Sequence, residues 1–531
     1  MHPETTADPP PRAAAVARCL PLLALAGGLA VRLASAQASF LHPDEALHHL
    51  LASQTSVSAA YRAALTNAHP PLLVLLLYSW RWLGQSELML RLPSVLAGTA
   101  CCWLVYRWLA QVADRSTALV GLLLCAFAPA LVELSAEIRQ YALLLFLMSA
   151  CLYLAERALR EDSWRWMILF SLSLLAALLT HYSALIFALA MGVYLLVRLY
   201  PYRNRPRTFA AWLSGQAAAL ALTAYFLATH VAHLRQIGMP QRIAETWLRQ
   251  SIYHPGEENA AVFAGVQTWR VFTFLLGNGV GGALALLAFL IGLASLLRRR
   301  DPADERGPRP RQLALLLGLP FVVSCGAGLA GLYPYGGTRH DAFLALFALG
   351  GASLGLAAWQ PAGEWIKPLA VAGLLALCYL SPGFHPSRPP AGAERARASM
   401  QAAVADLRAS VPPGSILLAD YQSGLLLGYY VCGHGIVQIG AMLPFARSGC
   451  GPYVAITTGP LQWSLQPEEL DEELASLAQT YRLAPGTRIW WFDAGSIGRP
   501  APRLRRKLLR LGWPDSRSFG DNILLCPLTV D

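Results

Sequence analysis

Apolar residues in this chain fall in long, nearly unbroken runs, not at the spacing of an amphipathic helix or a half-buried strand. A helix needs about 20 apolar residues to cross the hydrocarbon core of a bilayer. On that criterion the runs predict eleven spans, over 14–34, 88–110, 117–135, 140–156, 166–180, 182–198, 209–229, 270–297, 312–332, 342–359 and 366–381. The stretch Pro71–Leu83 is apolar but short, and it reads as an interfacial or re-entrant helix. No cleavable signal is recognised at the start, so Cys19–Val31 reads as part of an uncleaved first span.

The polar segments between the runs supply an orientation. With Arg12 and Arg18 in the cytoplasm, alternation puts Arg107 and Arg115 inside. It also puts Arg157, Arg160 and Arg165 there, then Arg203, Arg205 and Arg207, then Arg298–Arg300 with Arg306, Arg309 and Arg311. Four basic loops on one side follow the positive-inside rule. The opposite face receives 35–87, 136–140, the turn at His181, 230–269, 333–341 and the tail.

Near the proline-rich stretch Ser381–Pro390 the pattern changes, which divides the chain into a polytopic membrane domain, 1–383, and an extracytoplasmic domain, 384–531. In the tail, short apolar runs at Ser415–Ala419, Tyr453–Thr457, Arg488–Phe492 and Ile523–Cys526 predict strands. Helices are predicted at 394–409, Glu468–Tyr481 and Leu504–Leu511, and Leu425–Val431 is helix or strand. Alternating strands and helices predict a small α/β domain. The expected fold class is therefore an α-helical polytopic membrane protein with a small C-terminal α/β soluble domain.

Composition agrees. Of 531 residues, 55% are hydrophobic and 14% charged, against about 25% charged in ordinary soluble domains. Mean hydropathy is +0.42. The net charge of +11 does not signal nucleic-acid binding, because the basic residues sit in short segments between apolar runs. Seven of the ten cysteines lie in apolar runs. Cys432, Cys450 and Cys526 lie in the tail. There either Cys432 pairs with Cys450, leaving Cys526 over, or all three are free thiols.

Candidate chemistry gathers on the outer face. The first outer loop opens His42–Pro43–Asp44–Glu45, where Asp44 reads either as the cap of a helix Glu45–Tyr61 or as a base. The loop closes on Asn67–Ala68–His69–Pro70–Pro71. Glu137–Ile138–Arg139–Gln140–Tyr141, His181–Tyr182 and the turn Tyr333–Asp341 with Arg339 complete the set. Each has a bland reading: a turn, a local Glu137–Arg139 ion pair, a lone structural histidine. Together, a carboxylate pair with cationic partners suits transfer from a lipid-linked phosphate. A carboxylate takes the acceptor's proton, and Arg and His hold the departing phosphate.

Four segments carry a family resemblance: Asp44–Glu45, Ala68–His69–Pro70–Pro71–Leu72, Gly84–Gln85–Ser86–Glu87 and Arg91–Leu92–Pro93–Ser94. They resemble the dolichyl-phosphate-mannose–protein mannosyltransferase-like group of GT-C glycosyltransferases, the branch that includes lipid A aminoarabinose transferases. Arg139–Gln140–Tyr141–Ala142–Leu143 and His181–Tyr182 are similar to the version in bacterial members. The clear resemblance covers about residues 40–200. It implies a multispan fold and a polyprenyl-phosphate sugar donor, with Asp44 as catalytic base and Glu45 at the adjacent acidic position. His69 stands where the aminoarabinose transferases have lysine. Glu137 stands near their second acidic position.

The expectation is an inverting glycosyltransferase of a bacterial inner membrane, with its N-terminus cytoplasmic and its tail periplasmic. Its catalytic residues are Asp44 and Glu45, with His69, Arg139 and Arg339 on the donor phosphate. Glu137, Gln140, His181 and Tyr182 are candidates for a second acidic or substrate-contacting set. The expected partners are the polyprenyl-phosphate sugar, a lipid, glycan or protein acceptor, and membrane lipids. No cofactor is expected, and a divalent metal, if bound, is not expected to be essential. The alternative readings are a transporter or flippase of lipid-linked sugars, which predicts midplane charges and repeated broken helices, and a scaffold.

Overall fold

The structure is a computed structural model. It describes residues 11–199, 206–245, 248–299, 307–358, 366–380, 397–437, 444–459, 469–494, 502–511, 514–520 and 523–530. The basic residues Arg203, Arg205, Arg300 and Arg306 and the linker Ser381–Pro390 lie outside them. The chain forms two compact units. The first comprises Met1–Ala34, Leu92–Ala136 and Gln140–Ser387; the second comprises Ser35–Arg91, Glu137–Arg139 and Arg388–Asp531. Thus residues 35–91 and the three residues 137–139 group with the tail, which the boundary at 383/384 did not anticipate.

The first unit is helical, and it makes this an integral membrane protein. Six described helices are long and apolar enough to cross a bilayer: Cys19–Ala38, Glu87–Val112, Gln140–Glu161, Pro206–Gln236, Gly279–Arg298 and Pro310–Leu329. A seventh arises if Arg115–Phe127 and Pro129–Ser135, bent by 59°, form one span. The regions expected to cross near 166–180, 182–198, 342–359 and 366–381 hold shorter apolar helices. Length and composition therefore support six or seven crossings among the described residues.

Two local departures have clear causes. The expected span 270–297 is two helices, Ala260–Leu276 and Gly279–Arg298. Gly277 ends the first in the left-handed region (φ 75°), and the Asn278 side chain caps the second at Gly281 N. The bend at Ala128–Pro129 follows from proline's missing donor. There the buried Arg32 donates to Ala126 O (2.7 Å) and Cys125 O (3.0 Å). A charge inside a span is tolerated when backbone carbonyls receive it. Elsewhere small residues let helices approach closely. A Cβ on Gly355 would lie 1.8 Å from Ala288 O, and one on Gly292 would lie 2.2 Å from Gly351 O.

The second unit is built on a six-stranded sheet. Its strands are β1 Ile416–Ala419, β2 Phe445–Cys450, β3 Tyr453–Thr458, β4 Arg488–Asp493, β5 Arg517–Phe519 and β6 Ile523–Thr529, in spatial order β2-β3-β1-β4-β6-β5. β1 pairs in parallel with β3 and β4; the outer pairings are antiparallel. Both faces are covered, so the strands read as continuous apolar runs. One face (Leu418, Ile456, Ile489, Trp491, Leu524) packs under Leu470, Leu477 and Leu508. The other (Leu417, Ala455, Trp490, Phe492, Leu525) shares one core with Phe40, Leu41, Leu51, Leu73 and Ile138.

That shared core explains the grouping: the first loop has no sheet of its own and completes its burial on the tail's sheet. β2 and β5 were not foreseen. Leu425–Val431 is helical, as Tyr421–Leu427 followed by a π-helical turn, Gly428–Cys432. Cys432 and Cys450 form a disulfide, and Cys526 is a buried free thiol.

Candidate functional site

In the second unit the site begins with a helix start. Pro43–Ala52 is helical, and its N-cap is His42, not Asp44. The His42 Nδ1 accepts from Asp44 N (3.1 Å), and the Glu45 carboxylate reaches back to His42 N (2.7 Å). This is a capping box with histidine in the serine place. A lone pair on Nδ1 that accepts a backbone proton is not protonated, so His42 is in its neutral form while this cap holds. The sequence pattern suggested one helix over Glu45–Tyr61. Two form, Pro43–Ala52 and Val57–Ala64, the second capped by Ser56.

The adjacent carboxylates have different environments. Glu45 is fully buried. Its Oε1 accepts from Arg91 Nε (2.8 Å) and Ile138 N (2.9 Å); its Oε2 accepts from Arg91 Nη2 (2.7 Å) and His42 N (2.7 Å). Four strong donors occupy the carboxylate, leaving no place for an incoming proton. Arg91 also donates to the carbonyls of Ala36 (2.7 Å), Ser39 (2.9 Å) and Phe40 (3.3 Å). This bidentate pair fastens the backbone on both sides of the turn. The expectation of Glu45 as a catalytic group meets a residue engaged in holding the loop.

Asp44, one residue earlier, points elsewhere. Its side chain is 19% exposed, and it forms an ion pair with Arg139 Nη1. Arg139, expected on the donor phosphate or paired with Glu137, reaches this carboxylate across the unit. The backbone links the two loops as well, through Ile138 N on Glu45. Glu137 lies in the same three-residue segment, with its carbonyl accepting from Arg139 N (2.8 Å).

His48 and His69 complete this cluster, with ring centroids 6.5 Å apart. His48 Nδ1 donates to Asp44 O (2.6 Å), which leaves Nε2 as its lone pair. Burial, aided by the Arg139 charge, pushes the His48 ring down to about 4, so it is neutral at physiological pH. Sequence reading passed over His48. Its signal was the spacing, one helical turn after Asp44.

The other expected residues belong to the first unit. The rings of Tyr141, His181 and His340 lie within 5.5–6.2 Å of one another. His181 is buried and its Nδ1 accepts from Ser183 N (3.2 Å), so its Nε2 carries the proton. Tyr182 turns away from this group, its hydroxyl 2.6 Å from His230 Nδ1. Gln140, at the start of its helix, is buried, and no hydrogen bond reaches either of its amide atoms among the described residues.

Arg339 opens the turn Arg339–Asp341 and is half-buried. Two residues on, Asp341 is buried, with Oδ2 accepting from Gly336 N (2.7 Å) and Oδ1 lacking a partner among the described residues. Burial raises this carboxyl well above the usual carboxylate range. A Cβ on Gly336 (φ 140°) would meet Gln267 Oε1 at 2.2 Å, so only glycine fits there. Among the described residues no group of three or more His, Cys, Asp or Glu side chains is arranged to hold a metal ion.

Comparison with known proteins adds the following. Residues 68–228 match the family model of dolichyl-phosphate-mannose-protein mannosyltransferase. No curated protein matches the chain's sequence. Its fold is similar to that of ArnT from Cupriavidus metallidurans bound to undecaprenyl phosphate, at TM-score 0.51 and 15% identity, over 95% of this chain and 97% of that one. It is also similar to the archaeal oligosaccharyltransferase AglB from Archaeoglobus fulgidus, in complex with an inhibitory peptide and a dolichol-phosphate. That match has TM-score 0.51 and 11% identity, over 90% of this chain and 69% of that one. The chain thus has the fold of the GT-C glycosyltransferases, as its sequence led one to expect.

Proposed function

We propose that this protein is a membrane glycosyltransferase that takes a sugar from a polyprenyl-phosphate carrier at the extracytoplasmic face and passes it to an acceptor hydroxyl. The observation that carries the reading is the division of labour between Asp44 and Glu45. The loop is fastened by a saturated Glu45–Arg91 pair, and beside it stands an accessible carboxylate with a guanidinium against it. The match of 68–228 to the dolichyl-phosphate-mannose-protein mannosyltransferase model, and the polyprenyl phosphates bound by structures of the same fold, support a donor of this class.

In the step proposed, the acceptor oxygen attacks the anomeric carbon and gives its proton to Asp44. The bond from that carbon to the phosphate oxygen breaks, and the phosphate leaves with the electron pair. One displacement inverts the anomeric centre. Arg139 offsets the charge gathering on the phosphate, with His69 as a further phosphate contact. Glu45 serves as a brace.

The Cys432–Cys450 disulfide supports the sidedness. Disulfides persist in oxidising compartments, and the unit that holds this one also holds Asp44. We assign the second unit to the periplasmic side of a bacterial inner membrane, with the N-terminus in the cytoplasm. The test is a transfer assay with radiolabelled polyprenyl-phosphate sugars. Label should move covalently to an acceptor and should stop moving in Asp44→Asn. Label that crosses the membrane still attached to its carrier would make the protein a flippase.

A further inference from the structure

The tail of the second unit grips the loop that bears Asp44, and the grip runs through one hydroxyl. Tyr430 sits in the π-helical turn Gly428–Cys432. Its hydroxyl accepts from Leu41 N (2.8 Å), three residues before Asp44, and donates to the buried carboxylate of Glu87. On its other oxygen Glu87 meets Arg397 Nε at 2.9 Å. The chain Arg397–Glu87–Tyr430–Leu41 therefore begins on a tail helix, Arg397–Ser410, and ends on the backbone before the candidate base.

Neighbouring contacts reinforce it. The Tyr429 hydroxyl donates to Gln85 O (2.8 Å), and its ring stands edge-on to His49 at 5.3 Å. A Cβ on Gly435 would fall 1.9 Å from Leu50 Cδ1, so the tail backbone lies directly against the Pro43–Ala52 helix. The turn itself is tied down at its last residue, because Cys432 is bonded to Cys450 at the end of β2.

Arg91 takes the carbonyls of Ala36, Ser39 and Phe40, and Tyr430 takes the next amide, that of Leu41. The backbone leading into Asp44 is thus held from both sides, once by the loop's own arginine and once by the tail. We infer that Tyr430, locked by Glu87, Arg397 and the Cys432–Cys450 disulfide, is a positioning residue for Asp44, so that the C-terminal tail is part of the catalytic apparatus. This rests on the glycosyltransferase reading for its kinetic part and on geometry alone for its structural part.

The test uses the full-length protein in lipid nanodiscs and two readouts. Hydrogen exchange follows the amides of 40–45, and transfer kinetics follow label from a panel of radiolabelled polyprenyl-phosphate sugars to acceptors in a membrane extract. Tyr430→Phe should speed exchange in 40–45 by about 10-fold or more and lower kcat on the order of 10- to 100-fold, as small misplacements of a reacting group do. Donor KM should stay within about twofold. The double variant Cys432→Ser/Cys450→Ser should move both readouts the same way. Should Tyr430→Phe fail to fold, Arg397→Ala at the partly exposed end of the chain replaces it, with Arg397→Lys expected to restore both readouts.

Unchanged exchange in 40–45 overturns the inference. So does faster exchange with unchanged kcat, or a loss that appears wholly in donor KM. If the wild-type protein transfers no label from any donor while exchange responds as expected, the glycosyltransferase reading fails and the mechanical link stands.

Discussion

The two clusters of candidate residues solve the burial of polar groups in opposite ways. Around Asp44 and Glu45 the groups are ionic and their partners come from distant segments: Arg91 from the start of a long helix, Arg139 from the segment Glu137–Arg139, Tyr430 from the tail. Around His181 and His340 the groups are aromatic or neutral, and the one carboxyl, Asp341, is pushed by burial toward its protonated form. Charges fully met by donors fix a geometry. Neutral rings and a carboxyl raised by burial carry little charge into the interior. The first arrangement suits a reacting group that must not move, and the second keeps charge out of a buried site.

Substitutions can break that contrast, and the largest effect is expected at Asp44. Asp44→Asn should lower transfer by about 10²–10⁴-fold, the usual contribution of a positioned base, with melting temperature and donor binding little changed. A radiolabel assay beside a thermal melt decides it, and near-normal turnover would remove Asp44 from the chemistry.

Next comes the brace. Glu45→Ala leaves the Arg91 guanidinium buried without its carboxylate and should destabilise the second unit by about 3–5 kcal/mol. Denaturant melts should show this as a lower midpoint. Glu45→Ala and Arg91→Ala together should cost less than the sum of the two singles, because each exposes the same defect. Additive losses would mean the pair is not coupled.

The neutral cluster predicts smaller changes. Because burial raises its native carboxyl above the ordinary value of 3.8, Asp341 makes stability fall as pH rises past that value. Asp341→Asn should therefore melt at or above the wild-type temperature at pH 7, and a clear loss would show that the ionised form is needed.

The smallest effect is a pH dependence. Burial holds His48 and His49 down to about 4 in the folded protein, against 6.5 as the ordinary value. Between these values the unfolded chain binds protons that the native one refuses, so stability falls as pH drops from about 6.5 toward about 4. His48→Gln should flatten part of that slope in melts taken across the window.

Much of this was legible in the sequence, for physical reasons that differ from place to place. The membrane class followed from the uncompensated length of the apolar runs. The tail strands β1, β3, β4 and β6 were visible because doubly covered strands are apolar throughout. β2 and β5 were not, since Phe445–Cys450 is interrupted by Arg447, Ser448 and Gly449, Arg517–Phe519 is short and polar, and both take their strand form from a neighbour's edge. The break at Gly277–Asn278 carried a capping signal inside an apolar run, where composition outvoted it.

At the site, residue types alone marked Asp44, Glu45, Arg139, His69 and His181. What they could not show was the pairing. Nothing local distinguishes a carboxylate that meets Arg139 from one that meets Arg91, because both partners arrive from elsewhere in the chain.

The second unit is assembled from the chain's beginning and its end, and this has a consequence for its biosynthesis. Residues 35–91 cannot bury their apolar side chains against the sheet until residues from 388 onward have been made. At about 5–20 residues per second, the roughly 300 residues between them take about 15–60 s to translate. Throughout that delay the loop bearing Asp44 waits half-built, the state in which an assembly factor or a protease would meet it. A messenger truncated before the tail should yield a chain that inserts through its spans and is then cleaved in that first loop.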